Sequence, residues 1–128
     1  MSPFTQKFFL LCVLMLLLDH NVLGVRVNVA NSLEGNLDLT IHCKSQQRDL
    51  GAQLLHHGAS FGWDTGFDVD ERIYYCSFQW NNELHLHRYD IYSAGRDSCF
   101  PTCNWYITKS GPCMVLSPGS ATCHSWNN

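Results

Sequence analysis

Four groups of side chains could carry chemistry. His85 and His87 stand two apart, a spacing that puts both rings on one face of a strand and can hold a metal when a third ligand crosses over. A polar strand surface is the preferred reading, and His56-His57 is a loop pair whose adjacent rings rarely share one ligand sphere. Asp64, Asp68, Asp70 and Glu71 form an acidic segment. Asp68-Val69-Asp70 has some of the look of calcium-binding alternation but lacks the full loop pattern, so a solvated cluster that steers a basic partner is preferred. His42 precedes Cys43 and faces away from the core side, which suits a hydrogen bond fixing a loop base. The fourth group is the cysteines.

Catalysis finds little support. Cysteines that are oxidised supply no thiolate, and no Gly-x-Ser-x-Gly turn is present. Two histidines could form a ribonuclease-type acid–base pair. However, the net charge of −3 comes with no basic stripe for RNA or for an anionic membrane surface. No cofactor or metal is expected.

These groups need a scaffold, and the scaffold begins after residue 24. Lys7 precedes an apolar run, Phe8 to Leu18, too short to span a bilayer. Val22 and Gly24 suit a signal-peptidase site, so residues 1–24 are expected to be a signal peptide. Residues 25–128 then make one domain. Six of the seven cysteines fall there: Cys43, Cys76, Cys99, Cys103, Cys113 and Cys123. An even number in a secreted chain implies up to three disulfides, whose connectivity the spacing leaves open. Each would stabilise by roughly 2–4 kcal/mol.

The domain reads as strands. Val25, Val27 and Val29 alternate with polar or small residues, as do Leu37, Leu39, Ile41 and Cys43. The two are expected to pair as an antiparallel hairpin. Ser45 to Gly51 is read as a polar loop, followed by Gln53 to Leu55 and Ser60 to Trp63 as short strands. Ile73 to Trp80 is the strongest strand by residue type. Leu84 to Tyr92, Asn104 to Thr108 and Cys113 to Leu116 follow, and the tail from Ser117 is read as loosely held. Short strands with frequent turns, and no capped helical periodicity, predict an all-β sandwich or barrel.

In order and spacing, this chain resembles the plant self-incompatibility protein S family, the S-protein homologues. The carriers are Val27-Asn28-Val29-Ala30-Asn31, then His42-Cys43-Lys44-Ser45 with Asp49-Leu50-Gly51, and Phe61-Gly62-Trp63. Cys76-Ser77-Phe78-Gln79-Trp80, Tyr89-Asp90-Ile91-Tyr92 and Arg96-Asp97 follow. Cys99, Cys103, Trp105-Tyr106-Ile107 and Gly111-Pro112-Cys113 complete the series. The chain departs from the family at Gln46, Gln47 and Arg48, where the loop is usually more acidic, and after Trp63.

The resemblance implies a small disulfide-stapled antiparallel β-sandwich of two sheets. It also implies a secreted recognition or signalling protein, not an enzyme, acting as ligand for a receptor or other membrane protein. Self-incompatibility proteins of the pistil engage a pollen membrane protein in this way. Neither nucleic-acid binding nor membrane insertion is expected. With this family in view, the expected connectivity is Cys43–Cys103, Cys76–Cys99 and Cys113–Cys123, and a Cys99–Cys103 bridge would overturn it. Expected contact loops carry Gln46, Gln47, Arg48 and Asp49; Asp68, Asp70 and Glu71; and Arg96 and Asp97. The competing classes are a secreted defence-type protein and a secreted ribonuclease-like enzyme.

Overall fold

The alternating strands fold into two packed sheets. The computed structural model describes residues 5–12, 24–66 and 71–126. Residues 5–12 are an exposed helix, and the rest of the expected signal segment up to residue 23 lies outside the described residues. No helix among the described residues is long and apolar enough to cross a membrane.

Nine strands follow. They are β1 (Arg26–Asn31), β2 (Leu39–Lys44), β3 (Asp49–Leu55), β4 (Ser60–Asp64) and β5 (Ile73–Trp80), then β6 (His87–Ser93), β7 (Thr102–Thr108), β8 (Gly111–Ser117) and β9 (Ser120–Cys123). A five-stranded sheet has the order β4-β1-β7-β8-β9, and a four-stranded sheet the order β3-β2-β5-β6. The all-β, two-sheet expectation is met. One pairing, β1 with β7, is parallel.

The core is the alternating half of each strand. Val27, Val29, Trp105 and Ile107 from the larger sheet face Ile41, Tyr74, Phe78 and Ile91 from the smaller one, all buried. Each such side chain contributes roughly 1.5–3 kcal/mol by leaving water.

The expected hairpin between the first two strands does not form, because they belong to different sheets. The turn between them is not a surface turn. Leu33 is buried within it, and Asn31 is buried at the end of β1. The Asn31 amide donates to the carbonyls of Leu37 (2.8 Å) and Leu55 (2.9 Å), and its Oδ1 accepts from the Leu33 N–H (2.9 Å). One side chain thus holds the crossing from one layer to the other.

The disulfides correct the expected connectivity. Cys43 pairs with Cys76, Cys99 with Cys103, and Cys113 with Cys123. Cys43 and Cys76 are direct cross-strand neighbours of β2 and β5, and Cys113 and Cys123 of β8 and β9. Neither Cys43–Cys103 nor Cys76–Cys99 forms, because strand register sets Cys43 directly opposite Cys76, and Cys99 and Cys103, four residues apart, close on each other. Among the described residues, then, no disulfide ties one sheet to the other.

The tail is not loose. β9 pairs with β8, and the chain then straps the open side of the sandwich. The His124 N–H donates to the Pro112 carbonyl at 2.9 Å. Trp126 packs on Phe78 and Trp80 with ring centroids 5.0 and 6.0 Å apart, and its Nε1 donates to the Lys109 carbonyl at 3.0 Å. Only glycine fits at position 111, where a Cβ would strike the His124 carbonyl.

Candidate recognition site

Three connections meet at one end of the sandwich: Ser45–Arg48 between β2 and β3, the described residues 65–66 and 71–72 between β4 and β5, and residues 94–101 between β6 and β7. The first is shorter than the sequence predicts. Asp49 to Gly51 belong to β3, leaving a tight turn in which the Ser45 N–H donates to the Arg48 carbonyl at 2.8 Å. Of the predicted contact residues, Gln46 and Gln47 sit exposed on that turn. Asp68 and Asp70 lie outside the described residues.

The remaining loop charges are held by the chain itself. Arg48 donates to the Asp64 carbonyl (3.0 Å) and to the Tyr74 hydroxyl (3.4 Å). Tyr74 in turn donates to Glu71. Burial first, and the bond to Glu71 next, push the Tyr74 hydroxyl above its ordinary range. Arg96 forks onto Asp97 with contacts of 2.7 and 2.8 Å and reaches the Asp90 carbonyl at 2.7 Å. Its guanidinium lies over Tyr89 and Trp105, 5.2 and 6.0 Å from the ring centroids. Asp97, with a side chain only 5% exposed, also accepts from the Ser93 N–H at 3.0 Å. This pair ties β6 to the next connection.

Asp49 meets His42 across the β2–β3 pair, Nε2 to Oδ1 at 2.5 Å, and accepts from the Gly51 N–H at 2.8 Å. The Gly51 N–H chiefly, then His42, hold the Asp49 carboxyl below the usual carboxylate range. This is the contact that a loop-fixing role for His42 requires.

The outer face of the four-stranded sheet is different. Cross-strand register sets Lys44 opposite Tyr75 and Tyr75 opposite Asp90; the next row is His42, Ser77 and Arg88. Two shallow grooves lie here, of about 580 and 660 Å³, meeting at Tyr75 and Asp90. The first is lined by Lys44, Leu86 and Arg88, and the second runs to Gln46, Arg72, Ile73 and Gly95. Ile73, Tyr75 and Leu86 are 47, 42 and 39% exposed. Lys44 Nζ sits 5.7 Å from the Tyr75 ring centroid. Among the described residues, no carboxylate lies within 4.0 Å of Lys44, Arg72 or Arg88. Sequence reasoning placed Lys44, Ile73, Tyr75, Leu86 and Arg88 on strands and Arg72 in a loop, but could not align them without the register.

The other histidines are held by local packing. β6 starts at His87, later than predicted, and Asn81 and Asn82 both take positive φ in the turn after β5. His87 stacks on Trp80 (4.2 Å, 3°), and His85 stands edge-on to it at 4.8 Å. Burial first, and the charge of His85 next, lower the His87 pKa. His56 contacts Asp38 at 2.9 Å. No group of three or more potential ligands that could hold a metal occurs among the described residues.

The geometry therefore defines a disulfide-bonded, two-layer β-protein with a built groove on one sheet. Residues 26–126 match the family model for plant self-incompatibility protein S1. The chain is 38% identical over 107 residues to S-protein homolog 19 of Arabidopsis thaliana, covering 82% of this chain and 78% of that one. It is 35% identical over 108 residues to S-protein homolog 20 of the same plant, covering 81 and 77%. The match to S-protein homolog 2 is 37% over 110 residues, covering 79 and 67%. A solved Self-Incompatibility Protein Homologue shares the fold with a TM-score of 0.59 at 15% identity, over 81% of this chain and 95% of that one. That structure is described as one of a widespread family of small, highly stable, secreted plant proteins. The chain belongs to the plant self-incompatibility protein S1 family. Six cysteines in three disulfides accord with an oxidising, extracellular setting.

Proposed function

We propose that this protein is an extracellular recognition ligand, a binding protein and not an enzyme, that engages a cell-surface partner. The observation that carries this reading is the outer face of the four-stranded sheet. Lys44, Tyr75 and Arg88 stand there in register, exposed and supported by a buried core. Side chains fixed on strands hold a recognition surface more rigidly than loops do. Family membership adds the self-incompatibility precedent of signalling between cells.

The test is binding of the labelled secreted protein to plant cells. Saturable binding that unlabelled protein competes away is the expected result. RNA turnover abolished by His42→Ala would instead make the protein an enzyme. Leakage of dye from microbial or lipid vesicles would favour the defence-type reading. The reading also includes removal of the leader after Gly24. Val25 supports it, for its N–H donates to the buried Thr65 Oγ1 at 3.0 Å, tying this residue into the domain. N-terminal sequencing of secreted protein should begin at Val25.

A further inference from the structure

We infer that the groove across β2, β5 and β6 binds an acidic, extended peptide segment carrying apolar side chains. This rests on the recognition reading and names the chemistry of the partner. Three observations carry it.

The first is charge. The chain as a whole is net −3, yet Lys44 and Arg88 line one groove and Arg72 the groove that adjoins it at Tyr75 and Asp90, with no carboxylate in ion-pair reach among the described residues. Arg26, Arg48 and Arg96 are engaged with Asp64, the Asp64 and Tyr74 oxygens, and Asp97. The groove itself contributes one acid, Asp90, and a second, Asp49, stands opposite Lys44 across the β2–β3 pair, where His42 engages it. The surplus is positive, and it complements acidic side chains.

The second is apolar exposure. Leu86 lines the first groove, Ile73 the second, and Tyr75 both. Tyr75 alone offers an aromatic face on which a sugar ring could stack, whereas Ile73 and Leu86 fit aliphatic side chains. This favours a peptide over an anionic glycan. The third is width. Three neighbouring strands at about 4.8 Å spacing leave a strip roughly 10 Å across, the space of one extended chain.

The experiment uses the full secreted protein and a short fluorescent peptide in which Glu alternates with Leu and Tyr, read by anisotropy. Lys44→Glu and Arg88→Glu should each weaken binding about tenfold, and the double reversal should abolish it, since each places like charges together. Lys109→Glu, outside the groove, should leave affinity unchanged. Near-UV circular dichroism must match for all variants; should Lys44→Glu fail to fold, Arg88→Gln replaces it, with a smaller loss expected. Equal binding of the peptide with Lys in place of Glu overturns the proposal. So does unchanged affinity in the double reversal, or preference for oligogalacturonate, which would make the groove a glycan site. Plant cells separate this from the recognition reading. If the double reversal still binds them, the groove assignment fails and recognition stands. If no form binds them, recognition fails, and the peptide assay alone decides the groove.

Discussion

At the loop end of the sandwich, charged side chains are held inward; on the outer face of the four-stranded sheet they are presented outward. Arg48, Glu71, Arg96 and Asp97 are all hydrogen-bonded to the protein itself. Lys44, Arg72 and Arg88 are paired with no described carboxylate. The first set sits on connections, where backbone ends must be tied down. The second sits on or beside strands whose backbone is already satisfied by the ladder, so their side chains have no structural task. Of the loop residues, Gln46 and Gln47 stay exposed, and Gln46 borders the sheet face.

The contrast can be broken by substitution. The largest effect is expected for Asp97→Ala, which leaves a half-buried Ser93 N–H without its acceptor and strips Arg96 of its fork. Urea unfolding should show a loss of about 2 kcal/mol, moderated because Arg96 can turn to solvent. Arg48→Ala should follow at about 1 kcal/mol, measured the same way, from the lost bonds to Asp64 and Tyr74. Arg88→Ala and Lys44→Ala should change stability by no more than about 0.5 kcal/mol, because neither holds the fold. A loss from Arg88→Ala larger than that from Asp97→Ala would reverse the comparison.

The smallest effect concerns pH. The folded Asp49 carboxyl is depressed below its ordinary value by the Gly51 N–H and by His42. Its contribution is therefore complete above the unfolded carboxylate pKa and fades as pH falls through the folded one. Asp49→Asn should flatten the acid side of the melting-temperature profile below about pH 4 and leave the neutral side nearly parallel to the parent. An unchanged acid limb would mean that the β2–β3 contact adds nothing to folding.

Much of the fold was legible because burial follows alternation. β5 reads directly from Ile73 to Trp80, and Val27 and Val29 mark β1. Failures occurred where a single side chain outranked the local pattern. Asn31 and Leu33 resemble turn residues, yet they carry the chain between layers. Asp49 and Gly51 look like loop chemistry, yet the ladder extends through them. Trp126 looks like a tail residue, yet it closes the sandwich. The cysteine pairs and the groove share one cause of illegibility. Both depend on which residue of one strand faces which residue of another, and that register is absent from any single stretch of sequence.

The Cys43–Cys76 bond lies directly beneath the groove, with Cys76 at its floor. It fixes β2 to β5 from the core side, while the residues above it point to solvent. Substitutions on that outer row therefore carry little folding penalty. Duplicated copies of such a chain can diversify there, one exchange at a time, and acquire different partners while remaining the same stable protein.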